Sequence, residues 1–208
     1  MNLSTLPKLF PPNNEKKILL HVCCAVCAGD IIERMVASDL EVTLFFYNPN
    51  IHPIEEYEKR KQENKRFAQK HPIPWIDADY DVDYWFSRIK GWEQESEGGQ
   101  RCKICFDVRL ERSALYAFEN GFKVFTSTLG ISPLKDLRMI NQCGDAAARR
   151  YPDITYWTHN WRKEGGTQRM QQLSKEEHFY HQEYCGCQFS FHETNQKRLQ
   201  KGRQPLSS

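Results

Sequence analysis

One stretch constrains this chain more than any other: residues 18–30, ILLHVCCAVCAGD. A short apolar run ends in two adjacent cysteines, Cys23 and Cys24, and a third, Cys27, follows three residues later. Small residues come next, then an amphipathic segment over 31–36. That order predicts a buried strand, a tight loop carrying three thiols, and a helix. In an open α/β sheet, ligands bind in the crevice at the carboxyl ends of the strands. This chain therefore sets sulfur where such folds commonly hold a phosphate.

Strand and helix signals alternate through the rest of the sequence. Strands are expected over 17–23 and 42–47 (VTLFFY), with a helix over 28–38 between them. A loop over 48–53 leads to a charged helix over 54–70, ended by His71-Pro72. A third strand is expected at 75–78, an aromatic-rich helix within 79–92, a loop over 93–100, and a helix over 106–120 stopped by Gly121. Strands at 123–126 and 155–158 and helices at 134–150 and roughly 167–182 complete the pattern. The alternation predicts an α/β fold, a parallel sheet with helices on both faces, plus a C-terminal helical extension. Residues 1–16, with Pro7, Pro11 and Pro12, read as an N-terminal lead-in; 17–187 as a single α/β domain; and 188–208 as a polar tail, frayed or a surface helix.

The 208 residues are 39% hydrophobic and 27% charged, which describes an ordinary globular protein with a real core. No apolar run approaches the ~18 residues that span a bilayer, and the N-terminus has no apolar signal segment. The expectation is a cytoplasmic protein with no membrane partner. Structural disulfides are rare in a reducing compartment, so eight cysteines point to metal or redox chemistry. Charge is uneven: residues 1–100 carry 12 Lys+Arg against 16 Asp+Glu, and residues 101–208 carry 17 against 11. A basic second half is compatible with a nucleic-acid partner and equally with a solvated surface.

The cysteines fall into groups with different spacings. Cys102-x-x-Cys105 has the spacing of a zinc knuckle, but Cys23 and Cys24 are adjacent, and tetrahedral chelation of one zinc by both is awkward. Adjacent thiolates suit an iron–sulfur cubane better, since each can bind a different corner iron. Cys185-Gly186-Cys187 is another device. Its disulfide would close a small strained ring, which suits a dithiol that gives up two electrons; two further metal ligands are the alternative. Cys27 can serve either site, and the lone Cys143 reads as a buried structural thiol. His21, inside the first strand, reads as a packed core histidine, and His52 as a crevice-side candidate. Asp107 is an oxygen ligand or an acid; Asp30 is the same or a helix cap. The small hydroxyl-rich loop at 127–133 precedes a helix and can hold an anion, although many turns look alike.

These segments, in this order, resemble the QueH-type epoxyqueuosine reductases. The resemblance runs through HVCCAVC at 21–27, FYNPNI at 46–51, YEKR at 57–60, RCKICFDVRL at 101–110, TSTLGISP at 126–133 and YCGC at 184–187. The family usually has proline before its third cysteine, where this chain has Val26. The resemblance implies a Rossmann-like fold of the nucleotide-hydrolase and PP-loop kind, with 17–187 as its catalytic domain. It implies a cobalamin-independent oxidoreductase that reduces the epoxide of epoxyqueuosine, at the wobble position of tRNA, to queuosine. Carried over by position, Cys23, Cys24, Cys102 and Cys105 are the expected ligands of a [4Fe-4S] cluster, and Cys185 and Cys187 the expected redox-active pair. The family also leaves room for a second metal near the cluster, a mononuclear iron, with Cys27, Asp107 or the CxC thiols as ligands. The partners implied are a tRNA with epoxyqueuosine in its anticodon loop and an electron donor of unidentified kind. Turning an epoxide into an alkene and water takes two electrons and two protons, so a second electron store beside a one-electron cluster fits. Trp161, Arg162, Lys163 and Arg169 in the basic half are the candidate tRNA contacts. Two rivals stand beside this reading: an ATP-dependent PP-loop enzyme, which the cysteine-filled first loop disfavours, and a zinc-stabilised RNA-binding module without redox activity, which leaves the CxC unexplained.

Overall fold

The computed structural model describes residues 6–206. The first five residues of the expected lead-in and the last two of the tail lie outside that range. Five strands form one all-parallel sheet: β1 (Lys17–His21), β2 (Glu41–Phe46), β3 (Trp75–Asp77), β4 (Val124–Ser127) and β5 (Thr155–Tyr156), in the order β3-β2-β1-β4-β5. Ile18, Leu19 and Leu20 of β1 are fully buried, so side chains on both faces of the sheet are covered. This explains why β1 reads as an unbroken apolar run rather than an alternating one.

The helices are α1 (Ala25–Ala37), α2 (Ile54–Lys70), α3 (Val82–Ile89), α4 (Gln100–Glu119), α5 (Leu137–Ala148), α6 (Gly166–Glu176) and α7 (Gln188–Gln200). α1 packs on α2 and α6, while α4 packs on α3 and α5. Two helical sets are what right-handed crossovers produce when the chain first runs outward from β1 to β3 and then returns past it to β4 and β5. The expected α/β architecture is present. Among the described residues, no helix is long and apolar enough to cross a membrane.

Several element ends differ from expectation, and the differences matter at the thiols. α1 starts at Ala25, not at 28, because Cys24 is extended and nothing after it breaks a helix, so Cys27 sits in the first turn. Val26 occupies that same turn, where backbone N–H groups have no partner within the helix. Proline at this place would remove no intrahelical hydrogen bond, so the first turn tolerates either residue. α4 starts at Gln100, six residues before the expected start, with Gly99 at its N-cap. Cys102 and Cys105 therefore share one helical turn and face the same way. α5 starts at Leu137 behind Asp136, whose carboxylate accepts from the N–H groups of Arg138 at 2.8 Å and Met139 at 3.2 Å. α6 ends at Glu176, short of the expected 182, and the tail from Gln188 is a helix with Cys187 at its N-cap. The aromatic segment forms α3, which buries Trp85 and Ile89 in the core.

Candidate metal centre

The strand order reverses at β1, which has β2 on one side and β4 on the other. That is the switch point where open sheets bind ligands, and the chain leaving β1 runs directly into the cysteines. The sulfurs of Cys23 and Cys24 are 3.8 Å apart, and those of Cys23, Cys24 and Cys27 all lie within 4.8 Å of one another. All three residues are buried. The loop after β4 closes over them: the Cys23 N–H donates to the Thr128 hydroxyl at 3.4 Å, and the Cys23 sulfur lies 3.5 Å from the same oxygen. Ser127 is 2.8 Å from Nδ1 of His21 and also accepts from the Leu129 N–H, while Thr126 donates to the Trp157 carbonyl at 2.9 Å. Ser127 and Thr128 of this loop thus brace β1 and the Cys23 thiol. His21 is packed as expected, and its burial lowers its pKa to about 3, so the ring is neutral.

The other site cysteines approach from two further elements. Cys102 and Cys105 lie on the first turns of α4, with Arg109 one turn beyond Cys105. Arg109 donates to Oδ1 of Asn48 at 2.6 Å, and Nδ2 of Asn48 donates to the Val22 carbonyl at 2.9 Å, so two buried polar side chains tie α4 to the segment that carries Cys23. The CxC loop is held by its backbone. Arg60 of α2 donates to the carbonyls of Cys185 at 2.9 Å and Tyr184 at 3.1 Å. The His52 N–H donates to the Gly186 carbonyl at 2.8 Å, and the Tyr184 hydroxyl donates back to the His52 carbonyl. Gly186 has φ +132, a conformation open to glycine. All eight cysteines are free thiols.

Electrostatics divide the three adjacent thiols. Hydrogen bonds from Cys24 and Cys27 hold Cys23 well below the usual thiol range, and the same bonds push Cys24 up to about 12 and raise Cys27. Burial raises Cys102 to about 12, with Cys105, Cys185 and Cys187 adding repulsion if ionised together. Cys187 is raised to about 11, chiefly by burial. Burial opposes the charge of Lys135, yet Cys185, Cys23, Cys27 and Cys24 outweigh it and raise its pKa. Soft, buried and closely spaced donors beside fixed cations fit a metal ion or a metal cluster. Lys135, Arg60, Arg109 and Asn48 escaped the reading of the sequence. Asn48, Arg60 and Arg109 lie within the recognised segments and Lys135 two residues beyond one, but nothing in a single polar residue signals that it turns inward.

The remaining candidates have other partners. The imidazole of His52 packs against Trp85 and Phe86, with centroids 5.4 and 5.1 Å away, and its backbone rather than its ring serves the CxC loop. Asp107 pairs with Arg88 at 3.2 Å and Arg150 at 3.6 Å. Asp30 is neither a cap nor near an open face: it lies inside α1, paired with Arg34 at 3.0 Å. Trp161 is buried, and Arg169 is buried against Glu33 at 2.8 Å and Glu176 at 2.8 Å. Neither is free to stack on or pair with a nucleic acid. Arg162 donates to the carbonyls of Gly130, Ser132 and Lys135, which leaves Lys163 as the exposed member of that group. Cys143 is buried, with its sulfur 3.6 Å from the Lys103 carbonyl.

A family profile described as "Epoxyqueuosine reductase QueH" matches residues 18–193, from the first strand through the CxC loop into α7. This chain belongs to the QueH family. A QueH protein of Acinetobacter baylyi is 58% identical over 196 residues, covering 94% of this chain and 90% of its relative. One of Haemophilus influenzae is 56% identical over 199 residues, covering 96% and 81%. A more distant QueH protein of Thermotoga maritima is 36% identical over 190 residues, covering 89% and 96%. All three bear the name epoxyqueuosine reductase QueH. The QueH match thus spans all three chain segments that carry the candidate thiols.

Proposed function

We propose that this chain is an epoxyqueuosine reductase: it reduces the epoxide of epoxyqueuosine at the wobble position of tRNA to the cyclopentene of queuosine. The observation that carries this reading is the buried group of Cys23, Cys24 and Cys27 at the sheet's switch point, in a chain matched by the family over residues 18–193. Cys23 and Cys24, with Cys102 and Cys105 from α4, hold a [4Fe-4S] cluster, the arrangement adjacent cysteines favour. Cys27 stands within 4.8 Å of Cys23 and Cys24, in reach of the cluster or of a second, mononuclear iron. When bound, such iron supplies one-electron transfer and a Lewis-acid position.

Cys185 and Cys187 account for the two-electron balance. Two thiols closing to a disulfide release two electrons and two protons, and an epoxide that takes up both becomes an alkene and water. An external reductant then restores the dithiol. Gly186, held by His52, and the carbonyls of Tyr184 and Cys185, held by Arg60, fix the backbone of the loop that carries the two thiols. Lys135 keeps a positive charge beside the thiols, where negative charge accumulates on deprotonation. His21, neutral and locked between Ser127 and the Tyr47 carbonyl, positions β1's last turn without exchanging protons.

The test is the iron, zinc and sulfide content of anaerobically purified protein, its EPR spectrum after dithionite, and turnover of epoxyqueuosine-containing tRNA. Four or more irons with matching sulfide, a reduced-cluster signal and formation of queuosine are expected, with iron in excess of sulfide marking the second site. Stoichiometric zinc without sulfide after attempted reconstitution would overturn the reductase reading in favour of a zinc-stabilised RNA-binding module. Full turnover by Cys187→Ser would sink the role of the CxC pair.

A further inference from the structure

The strap between β4 and α5 presents an unusual surface. Leu134 is 91% exposed at its tip, and the strap beneath it is not loose: Arg162 donates to the carbonyls of Gly130, Ser132 and Lys135 and ties it down. A large apolar side chain is thus held out in solvent on a fixed support. Beside it opens a cavity of about 730 Å³, lined among others by Lys135, Arg138, Asn141, Gln142 and Arg162. That volume lies within the range of small-molecule sites. Its acids are Asp136, whose carboxylate is turned to cap α5, and Asp145. The cavities beside α2, α3 and α7 carry more acids than bases in their linings, so the α5 cavity is the one among these four whose rim favours phosphate. The strap also leads to the thiols, since the hydroxyl of Thr128 at its start lies 3.5 Å from the Cys23 sulfur.

We propose that the anticodon loop of the substrate tRNA docks on this face, with phosphates on Arg138, the wobble nucleotide turned into the α5 cavity alongside Lys135, and Leu134 filling the stack the nucleotide leaves. The proposal rests on the reductase reading and names the surface through which its substrate enters. A nucleotide inside a folded anticodon loop must be unstacked before a buried thiol centre can act on it, and apolar wedges perform that task in other nucleic-acid complexes. Asn141 and Gln142 supply amides for the polar edges of a splayed base. The docking face moves from the candidates named in the sequence to the neighbouring strap, because Trp161 and Arg169 are buried and Arg162 supports the strap from below.

The experiment measures affinity of the iron-loaded protein for tRNA carrying epoxyqueuosine, over a series of salt concentrations, with iron content and visible spectrum as controls. Arg138→Ala is expected to weaken binding about tenfold at low salt and to reduce the slope of log K against log salt by about one. Leu134→Ser is expected to leave that slope unchanged while lowering turnover several-fold. Arg149→Ala, an exposed arginine at the other end of α5, is expected to change affinity less than twofold. Unchanged affinity and turnover in both Arg138→Ala and Leu134→Ser, or an equal loss in Arg149→Ala, overturns the docking face. Unchanged tRNA binding with a raised KM for the reductant overturns it too and assigns the face to the electron donor. A wild-type protein that fails to bind or reduce this tRNA overturns the functional reading itself.

Discussion

Arg60, in the middle of α2, donates to the carbonyl of Cys185 at 2.9 Å, although 125 residues separate the two. The guanidinium is also paired with Glu56 at 2.7 Å, and both side chains are buried. The CxC loop therefore depends on a buried charge pair in a helix that carries no cysteine. Removing one partner of such a pair leaves the other charge buried, at a cost of about 3–5 kcal/mol. Arg60→Met is expected to lose that much in urea denaturation, and Arg60→Met with Glu56→Met to recover part of it. A double variant as unstable as the single one would place the cost in the lost carbonyl bonds instead.

Gly186 is the second support of the loop. Its φ is +132, and a Cβ there would stand 3.1 Å from a nitrogen of Arg60 and 3.2 Å from Cγ1 of Ile51. Gly186→Ala is expected to cost about 1–3 kcal/mol and to lower turnover by shifting the thiols. Gly121→Ala is the comparison: φ there is +69, with open space around the added carbon, so it is expected to destabilise modestly and leave turnover intact. Equal turnover in the two variants would contradict a role for loop geometry.

Much of this architecture was legible in the sequence because it is written in local patterns. The run at 18–22 and VTLFFY announce strands buried on both faces, and α2 falls on 54–70 as its periodicity and the following proline require. The thiol groups were legible from spacing, but their elements were not. α4 begins before its CxxC because Gly99 caps it, and a glycine pair reads as loop until the helix beyond it is seen. The cationic lining was hidden for a different reason. Lys135, Arg60 and Arg109 have the composition of surface residues, and what turns Arg60 and Arg109 inward is tertiary contact with Glu56, the CxC backbone and Asn48. The candidate tRNA contacts misled in the same way, since Arg169 is consumed by Glu33 and Glu176.

Asp30 gives the fold a pH dependence of definite sign. It pairs with Arg34, but burial of the carboxylate outweighs the pairing and raises its pKa from 3.8 to about 6. Between those values the folded chain binds more protons than the unfolded one, so this group's contribution is fully present below about pH 4 and is lost as pH rises through about 6. A shift of that size corresponds to at most about 3 kcal/mol. Relative to wild type, Asp30→Asn is expected to gain stability progressively between pH 4 and 7, read from paired urea titrations. A difference between the two proteins that stays constant across that range would show that the carboxylate titrates normally.

The thiols themselves separate by what each loss does to iron and to turnover. Serine at Cys23, Cys24, Cys102 or Cys105 is expected to lower cluster content strongly, because each removes one soft donor that an alcohol replaces poorly. Cys187→Ser is expected to keep the cluster spectrum and lose turnover, as a member of the dithiol rather than a ligand. Cys143→Ser is expected to change neither, since its sulfur is buried against the Lys103 carbonyl. Cys27 is the informative member of the series. It lies within 4.8 Å of Cys23 and Cys24, so Cys27→Ser should remove iron in excess of sulfide while leaving the reduced-cluster EPR signal in place. Loss of the signal itself would assign Cys27 to the cluster, and would leave one of the four proposed ligands for the second iron or the CxC pair.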